Sequence, residues 1–90
     1  MKDKIYVFHG ESARYTSAVF SDLPKAEQWI SENELTGMLT LYPLNQSAYD
    51  WAIENQYFEP KKEHQSSSKF IASFTSASQE HYHYENGKNS

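Results

Sequence analysis

Two histidines stand two residues apart near the end of the chain, at His81 and His83. On a β-strand both imidazoles would project from one face, where they could ligate a metal ion. A structural zinc site takes four ligands, and the further candidates His9, His64 and Glu85 stand at no diagnostic spacing. The pair therefore indicates the exposed face of a strand, and we predict that the protein has no metal site and no cofactor.

A second group of reactive side chains lies in His9-Gly10-Glu11-Ser12, which contains a base, an acid and a hydroxyl. Nucleophilic catalysis requires these groups to be oriented toward one another, and no nucleophile elbow or glycine-rich phosphate loop accompanies them. The single arginine, Arg14, supplies too little positive charge for phosphoryl transfer. A loop between two strands explains the segment, so we predict that the protein is not an enzyme.

The elements that position these residues must come from one small domain. Ninety residues suffice for a single domain, 1–90, with a small hydrophobic core. Phe, Trp and Tyr make up 16% of the chain, so large rings must supply much of the buried area. The function of such a domain has to be sought in its surface as much as in its motifs.

Cysteine usage and charge restrict the compartment and the partners. The chain has no cysteine, which excludes disulfides and cysteine metal sites and favours a reducing compartment. The longest apolar run, Ile5–Phe8, is too short for a signal peptide or a transmembrane helix. The formal net charge of −4 opposes direct binding to nucleic acid, which requires a basic face. We therefore expect a cytoplasmic protein that contacts neither nucleic acid nor membrane directly.

The apolar pattern predicts an α+β fold in the order ββαβα(α)β, with an antiparallel sheet of three to four strands and two or three helices. The predicted strands are Ile5–His9, Tyr15–Phe20, Met38–Tyr42 and His81–Glu85, and the predicted helices are 23–33 and 48–56. The segment 68–75 fits a helix or an alternating strand, and the serines before it favour the helix. We expect 1–3 and 86–90 to fray and 59–68 to be an exposed, mobile loop.

Capping residues set the predicted limits of the two longer helices. Ser21 and Asp22 are both good N-caps for the first helix, and Pro24 fits its first turn. Thr36-Gly37 ends the connection after that helix. Ser47 followed by Asp50 indicates the N-terminus of the second helix.

The simplest arrangement places the first strand centrally, with the second and third strands antiparallel on either side of it. The first helix then covers one face of the sheet, and the last strand pairs beside the third. The residues predicted to be buried are Val7, Phe8, Val19, Trp29, Ile30, Leu39, Leu41, Ala52, Ile53 and Phe74.

Several segments together resemble a family of small bacterial single-domain proteins of unknown function, DUF7710. The most specific of them is Tyr49-Asp50-Trp51-Ala52-Ile53, and the resemblance runs from about residue 5 to residue 87. Members carry no established activity, so the resemblance implies no catalytic residue. The other segments are Val7–Gly10, Ser17–Phe20, Ala26–Ile30, Leu35–Pro43, Phe70–Ile71, Phe74–Ala77 and His81–Gly87.

Small acidic bacterial domains of this kind are often immunity proteins, which is an analogy of class. We therefore hypothesise a non-enzymatic cytosolic immunity protein that binds and neutralises a contact-dependent or polymorphic toxin, whose basic nuclease domain would complement the acidic chain. The alternatives are a host protein-binding or regulatory module and, less favoured, a small His-dependent enzyme. The predicted partner-binding residues are Asp50, Glu54, Tyr57, Glu59, Glu80 and Tyr82.

Overall fold

A computed structural model describes residues 3–90 of the chain. Met1 and Lys2, which belong to the terminus predicted to fray, lie outside the described residues. The strands are β1 (Lys4–Gly10), β2 (Ala18–Phe20), β3 (Gly37–Pro43), β4 (His81–Glu85) and β5 (Lys88–Asn89), and the helices are α1 (Leu23–Glu32), α2 (Ala48–Glu54) and α3 (Ser68–Ala72). A 3₁₀ turn at Glu63–Ser66 lies inside the segment that was predicted to be a loop.

One antiparallel sheet contains the described strands in the order β2-β1-β3-β4-β5. The predicted α+β class and the antiparallel sheet are confirmed, and so are the central position of β1 and the pairing of β4 beside β3. The predicted strand count is wrong, because the sheet has five strands. The segment 68–75, for which a helix was favoured, contains α3.

The fifth strand replaces the polar tail expected after Glu85. Asn86 and Gly87 both have positive φ angles, of 52° and 85°, which form the type I′ turn of a tight hairpin. The Gly87 amide donates a hydrogen bond to the Leu35 carbonyl at 2.8 Å. The turn thus returns the chain as β5 against β4 and fixes it to the loop after α1. An Asn-Gly pair is the strongest short hairpin signal, so the sequence did contain the information.

Helix α1 ends at Glu32, one residue before the predicted limit. The Leu35 amide donates to the Ile30 carbonyl at 3.0 Å and the Glu34 amide donates to the Ser31 carbonyl at 3.1 Å, which is a Schellman motif. Glu34, with a φ of 52°, occupies the left-handed position that glycine usually fills. Gly37 is therefore no helix stop. It lies in β3, where an added Cβ would stand 2.4 Å from the His9 carbonyl oxygen.

The hydrophobic core lies between α1 and one face of the sheet, here called the covered face. Phe8, Leu39 and Tyr84 come from the strands and pack against Ala26 and Ile30 of the helix. Trp29 adds an edge-to-face contact with Phe8, the two ring centroids being 5.5 Å apart. Of the residues predicted to be buried, Phe8, Ile30, Leu39 and Ala52 are confirmed, whereas Val7, Trp29, Leu41 and Phe74 are only partly buried.

Two core predictions are wrong. Val19 is 57% exposed because it shares the opposite sheet face with its register partner Val7, and α1 does not cover that face. Ile53 is 37% exposed, since α2 turns Tyr49 and Ala52 inward instead. β2 is also shorter than predicted, and Tyr15 stands in solvent before it.

A second, smaller cluster holds α2 and α3 together. The rings of Tyr49, Phe58, Phe70 and Phe74 contact one another with centroids 4.9–6.3 Å apart. The Tyr49 hydroxyl donates to the Gln65 carbonyl at 2.8 Å, which attaches the 3₁₀ turn to the cluster. This satellite cluster packs against the side of α2 that carries Tyr49.

Among residues 3–90 no helix combines the length and apolar character needed to cross a membrane.

Candidate functional site

The sheet face opposite α1, here called the open face, forms the floor of a groove. Antiparallel partners share a face, so the register places Val7, Thr40 and His81 in one row across the three central strands. The next row contains His9, Met38 and His83. These six residues belong to the lining of a concavity of about 880 Å³, here called the sheet groove. Its size falls within the usual range of small-molecule sites, about 300–1,000 Å³.

One wall of the sheet groove is the segment 75–79, which a buried glutamine holds in place. Gln79 is 3% exposed, and its Nε2 donates to the Leu41 carbonyl at 3.4 Å. The Gln79 Oε1 accepts from the Ser76 amide at 3.1 Å. The Leu41 amide donates to the Glu80 carbonyl at 2.9 Å. The wall is therefore anchored to β3 by hydrogen bonds.

The histidines of the sheet groove have defined hydrogen-bond partners. His9 Nε2 lies 2.6 Å from the Ala13 carbonyl, and His81 Nδ1 lies 2.7 Å from the Gln79 carbonyl. A carbonyl oxygen only accepts, so each of these nitrogens carries the hydrogen. In the neutral imidazoles the other nitrogen, His9 Nδ1 or His81 Nε2, is then a hydrogen-bond acceptor. His9 is thus bonded to its own loop and not to Ser12.

The His81 and His83 rings meet edge to face with their centroids 5.2 Å apart. They do lie close together, as the spacing indicated. Within residues 3–90 no group of three or more His, Asp or Glu side chains is arranged to hold a metal ion.

Apart from its histidines, the described ionisable side chains that line the sheet groove include acids and no lysine or arginine. Glu11 and Glu85 are the acidic residues among those that line it. Hydroxyl groups from Ser12, Thr16 and Thr40 add further acceptors. The arrangement offers an apolar floor and an excess of acceptors, which suits a ligand that donates hydrogen bonds and carries positive charge.

A second surface, here called the α2 patch, consists of Asp50, Ile53, Glu54, Tyr57 and Glu59. Asp50, Ile53 and Glu54 share one side of the helix at spacings of three and four residues. Tyr57, 57% exposed, packs on Trp51 with the ring centroids 5.4 Å apart. Ile53, Tyr57 and Glu59 line a shallow concavity together with Gln56, Phe58 and Lys61. Four of the predicted partner-binding residues thus belong to this surface.

The turn after α2 gives Tyr57 its position. The Tyr57 amide donates to the Ala52 carbonyl at 2.8 Å and the Gln56 amide donates to the Ile53 carbonyl at 3.1 Å. Gln56 has a φ of 64°, so this helix also ends in a Schellman motif. The motif stops α2 at Glu54, two residues before the predicted limit.

The remaining predicted contact residues, Glu80 and Tyr82, belong to a different element. Tyr82 lies on β4 with its ring on the covered face, and its hydroxyl donates to a Glu80 carboxylate oxygen. This hydrogen bond, together with burial, raises the pKa of Tyr82 to about 12. Burial and a hydrogen bond to Glu27 at 3.1 Å also raise the pKa of Tyr84. Glu80 and Tyr82 are thus paired with each other, while the other four residues gather on the α2 patch.

Sequence reasoning missed the sheet groove as a site. The alternation already placed His9 with Val7 and His81 with His83, but only the register brings both pairs to one face around Met38 and Thr40. The available signal was the mixture of β-branched, hydroxyl and imidazole side chains at alternate strand positions.

Comparison with known proteins places the chain in a family. A family model described as "Domain of unknown function (DUF7710)" matches residues 5–90. No curated protein and no solved structure matches the chain.

Proposed function

The chain belongs to the DUF7710 family, and on that premise we propose that it acts by binding another protein, as an immunity protein that neutralises a toxin. The observation that carries the proposal is the composition of the α2 patch. It combines the exposed Ile53 and two carboxylates, Asp50 and Glu54, on one side of a short helix with the exposed Tyr57 and the carboxylate of Glu59 just after that helix. Anchored aromatic residues within a charged rim are typical of protein interfaces.

The packing beneath the α2 patch supports this role. The Tyr57 ring rests on Trp51, and the end of α2 is fixed by the motif at Gln56. A rigid aromatic anchor loses little conformational entropy on binding. The satellite cluster around Tyr49 supports α2 from the inner side. The patch is therefore organised before a partner arrives.

Charge supports a basic partner. The α2 patch carries Asp50, Glu54 and Glu59 against Lys61 at its edge, and the whole chain has a net charge of −4. Nuclease domains need a basic face for the phosphate backbone. Complementary charge would steer such a domain to the acidic patch and accelerate association.

Co-expression tests the immunity function. If the proposal is right, the gene lies beside that of a large toxin. Expressing that toxin's C-terminal domain should then stop growth, and this chain should restore it. The two proteins should co-purify with a Kd of about 10⁻⁷ M or lower, on the scale of specific protein interfaces. Equal killing with and without this chain would refute the immunity function.

Charge reversal tests the surface. The double variant Asp50→Lys/Glu54→Lys should slow association with the toxin domain by about tenfold or more and change its salt dependence. The matched control is Glu11→Lys/Glu85→Lys, which makes the same change of charge at the sheet groove. If only the control slows association, the partner binds elsewhere. Tyr57→Ala should raise the dissociation rate, as loss of an aromatic anchor does.

A further inference from the structure

We infer that the sheet groove is a binding site for a small organic cation, one that joins an amidinium, guanidinium or ammonium group to an apolar body. This site is separate from the α2 patch and does not depend on the proposed function. The inference starts from the floor of the groove. Val7 and Met38 are exposed enough to contact a ligand, and Thr40 is the cross-strand partner of Val7, two residues from Met38 on the same face of β3. They offer an apolar surface that no described segment covers fully.

The hydrogen-bond acceptors of the sheet groove favour a ligand that donates hydrogen bonds. The ring nitrogens of His9 and His81 that carry hydrogen are already bonded to backbone carbonyls. The nitrogens left over are acceptors in the neutral rings. The hydroxyl of Thr40 and the carboxylates of Glu11 and Glu85 accept as well. An amidinium or guanidinium group presents only donors, and so complements this set.

The acidic residues of the sheet groove favour a cation over an anion. Glu11 and Glu85 make no ion pair with another residue among 3–90, and the lining contains no lysine or arginine to oppose a positive ligand. An anion would meet two carboxylates and no cationic partner. The lining thus disfavours phosphates and carboxylates as ligands.

Three probes of one shape test the inference on the full chain. Benzamidinium, benzamide and benzoate carry charges of +1, 0 and −1 on the same ring. In a ¹H–¹⁵N NMR titration, benzamidinium should shift the amides of Val7, Met38 and Thr40 saturably, with a Kd of about 1 mM or lower. Benzamide should bind about fivefold or more weakly, and benzoate should produce no shifts there. Equal binding of all three, or shifts confined to the α2 patch, would overturn the inference.

Paired charge removals separate the site from the overall charge of the chain. Glu11→Gln/Glu85→Gln should weaken benzamidinium binding by roughly three- to tenfold. Glu54→Gln/Glu59→Gln removes the same charge from the α2 patch and should leave binding unchanged. Equal weakening by both doubles would mean that benzamidinium responds only to net charge, and the site would be refuted. Toxin binding is read in a separate assay, so either proposal can fail alone.

A peptide that contains arginine tests whether the ligand of the sheet groove is a free small molecule or an arginine side chain of another protein. Acetyl-Gly-Arg-Gly-amide presents a guanidinium group within a polypeptide. Binding to the sheet groove no tighter than that of benzamidinium would support a free small molecule as the ligand. Binding about tenfold tighter or more would assign the groove to an arginine of a protein and overturn the small-molecule assignment.

Discussion

The two faces of the sheet are built from alternate residues of the same strands, and they differ in almost every respect. On β3, Leu39 is fully buried beneath α1, while its neighbour Thr40 lies at the floor of the sheet groove. The covered face is closed by large apolar and aromatic side chains. The open face mixes valine and methionine with imidazoles and hydroxyls. Close apolar packing thus resides on the covered face, and the proposed binding site lies on the open face.

Truncation of adjacent residues on β3 should give the largest contrast between the faces. Leu39→Ala leaves a cavity under α1 and should lower the free energy of unfolding by about 2–5 kcal/mol. Thr40→Ala should lower it by less than about 1 kcal/mol, because no core contact is lost. Urea unfolding followed by tryptophan fluorescence measures both. Similar losses would show that the open face carries as much packing energy as the covered face.

A glycine pair at one end of the sheet gives the next contrast. Gly37→Ala places a Cβ 2.4 Å from the His9 carbonyl oxygen and 2.8 Å from the Phe8 ring. The clash should cost about 2–3 kcal/mol. Its register partner Gly10 is the control, since a Cβ there meets Ala13 at an ordinary 3.5 Å. Equal stability of the two variants would mean that β1 and β3 separate easily at this end.

A substitution in the wall of the sheet groove should lower the free energy of unfolding by less than a substitution in the core. Gln79→Ala leaves the Ser76 amide without its side-chain acceptor and removes a donor to the Leu41 carbonyl, which should cost about 1–3 kcal/mol. Hydrogen exchange should accelerate first at the Leu41 amide, while the amides of α1 stay protected. Ser78→Ala, at an exposed position in the same segment, should change stability by less than about 0.5 kcal/mol. Faster exchange throughout α1 would show that the wall and core unfold together.

The smallest expected effect is on the pH dependence of stability, through Tyr82 on the covered face. Folding raises the pKa of Tyr82 from its ordinary 10 to about 12, so folding favours the protonated hydroxyl. Its contribution to stability is complete below pH 10 and is lost as pH rises from 10 to 12. Tyr82→Phe should remove this part of the alkaline decline, relative to each protein's stability at pH 8. An unchanged alkaline profile in the variant would mean that Tyr82 ionises equally in both states; tyrosinate absorbance provides an independent check.

The sequence determined the local elements well. Capping residues, helical spacing and strand alternation predicted β1, α1, β3 and β4 nearly to their limits. Of the residues proposed from the sequence as partner contacts, Asp50 and Glu54 lie on α2, and Tyr57 and Glu59 follow it. Asn86-Gly87 encoded the last hairpin, although its meaning as a turn was not recognised. Each of these features depends on neighbours within about seven residues, which is the range of capping, turn and periodicity rules.

Tertiary structure alone decided which sides of those elements are covered. Val7 and Val19 are as hydrophobic as core residues, yet they face away from α1, and Ile53 faces away from the satellite cluster. The sheet groove exists because register aligns His9 with Met38 and His83, and because Gln79 holds a distant segment against β3. The sequence pattern separates the two faces of a strand. Which face is buried depends on packing between segments far apart in the chain, and no local preference contains that information.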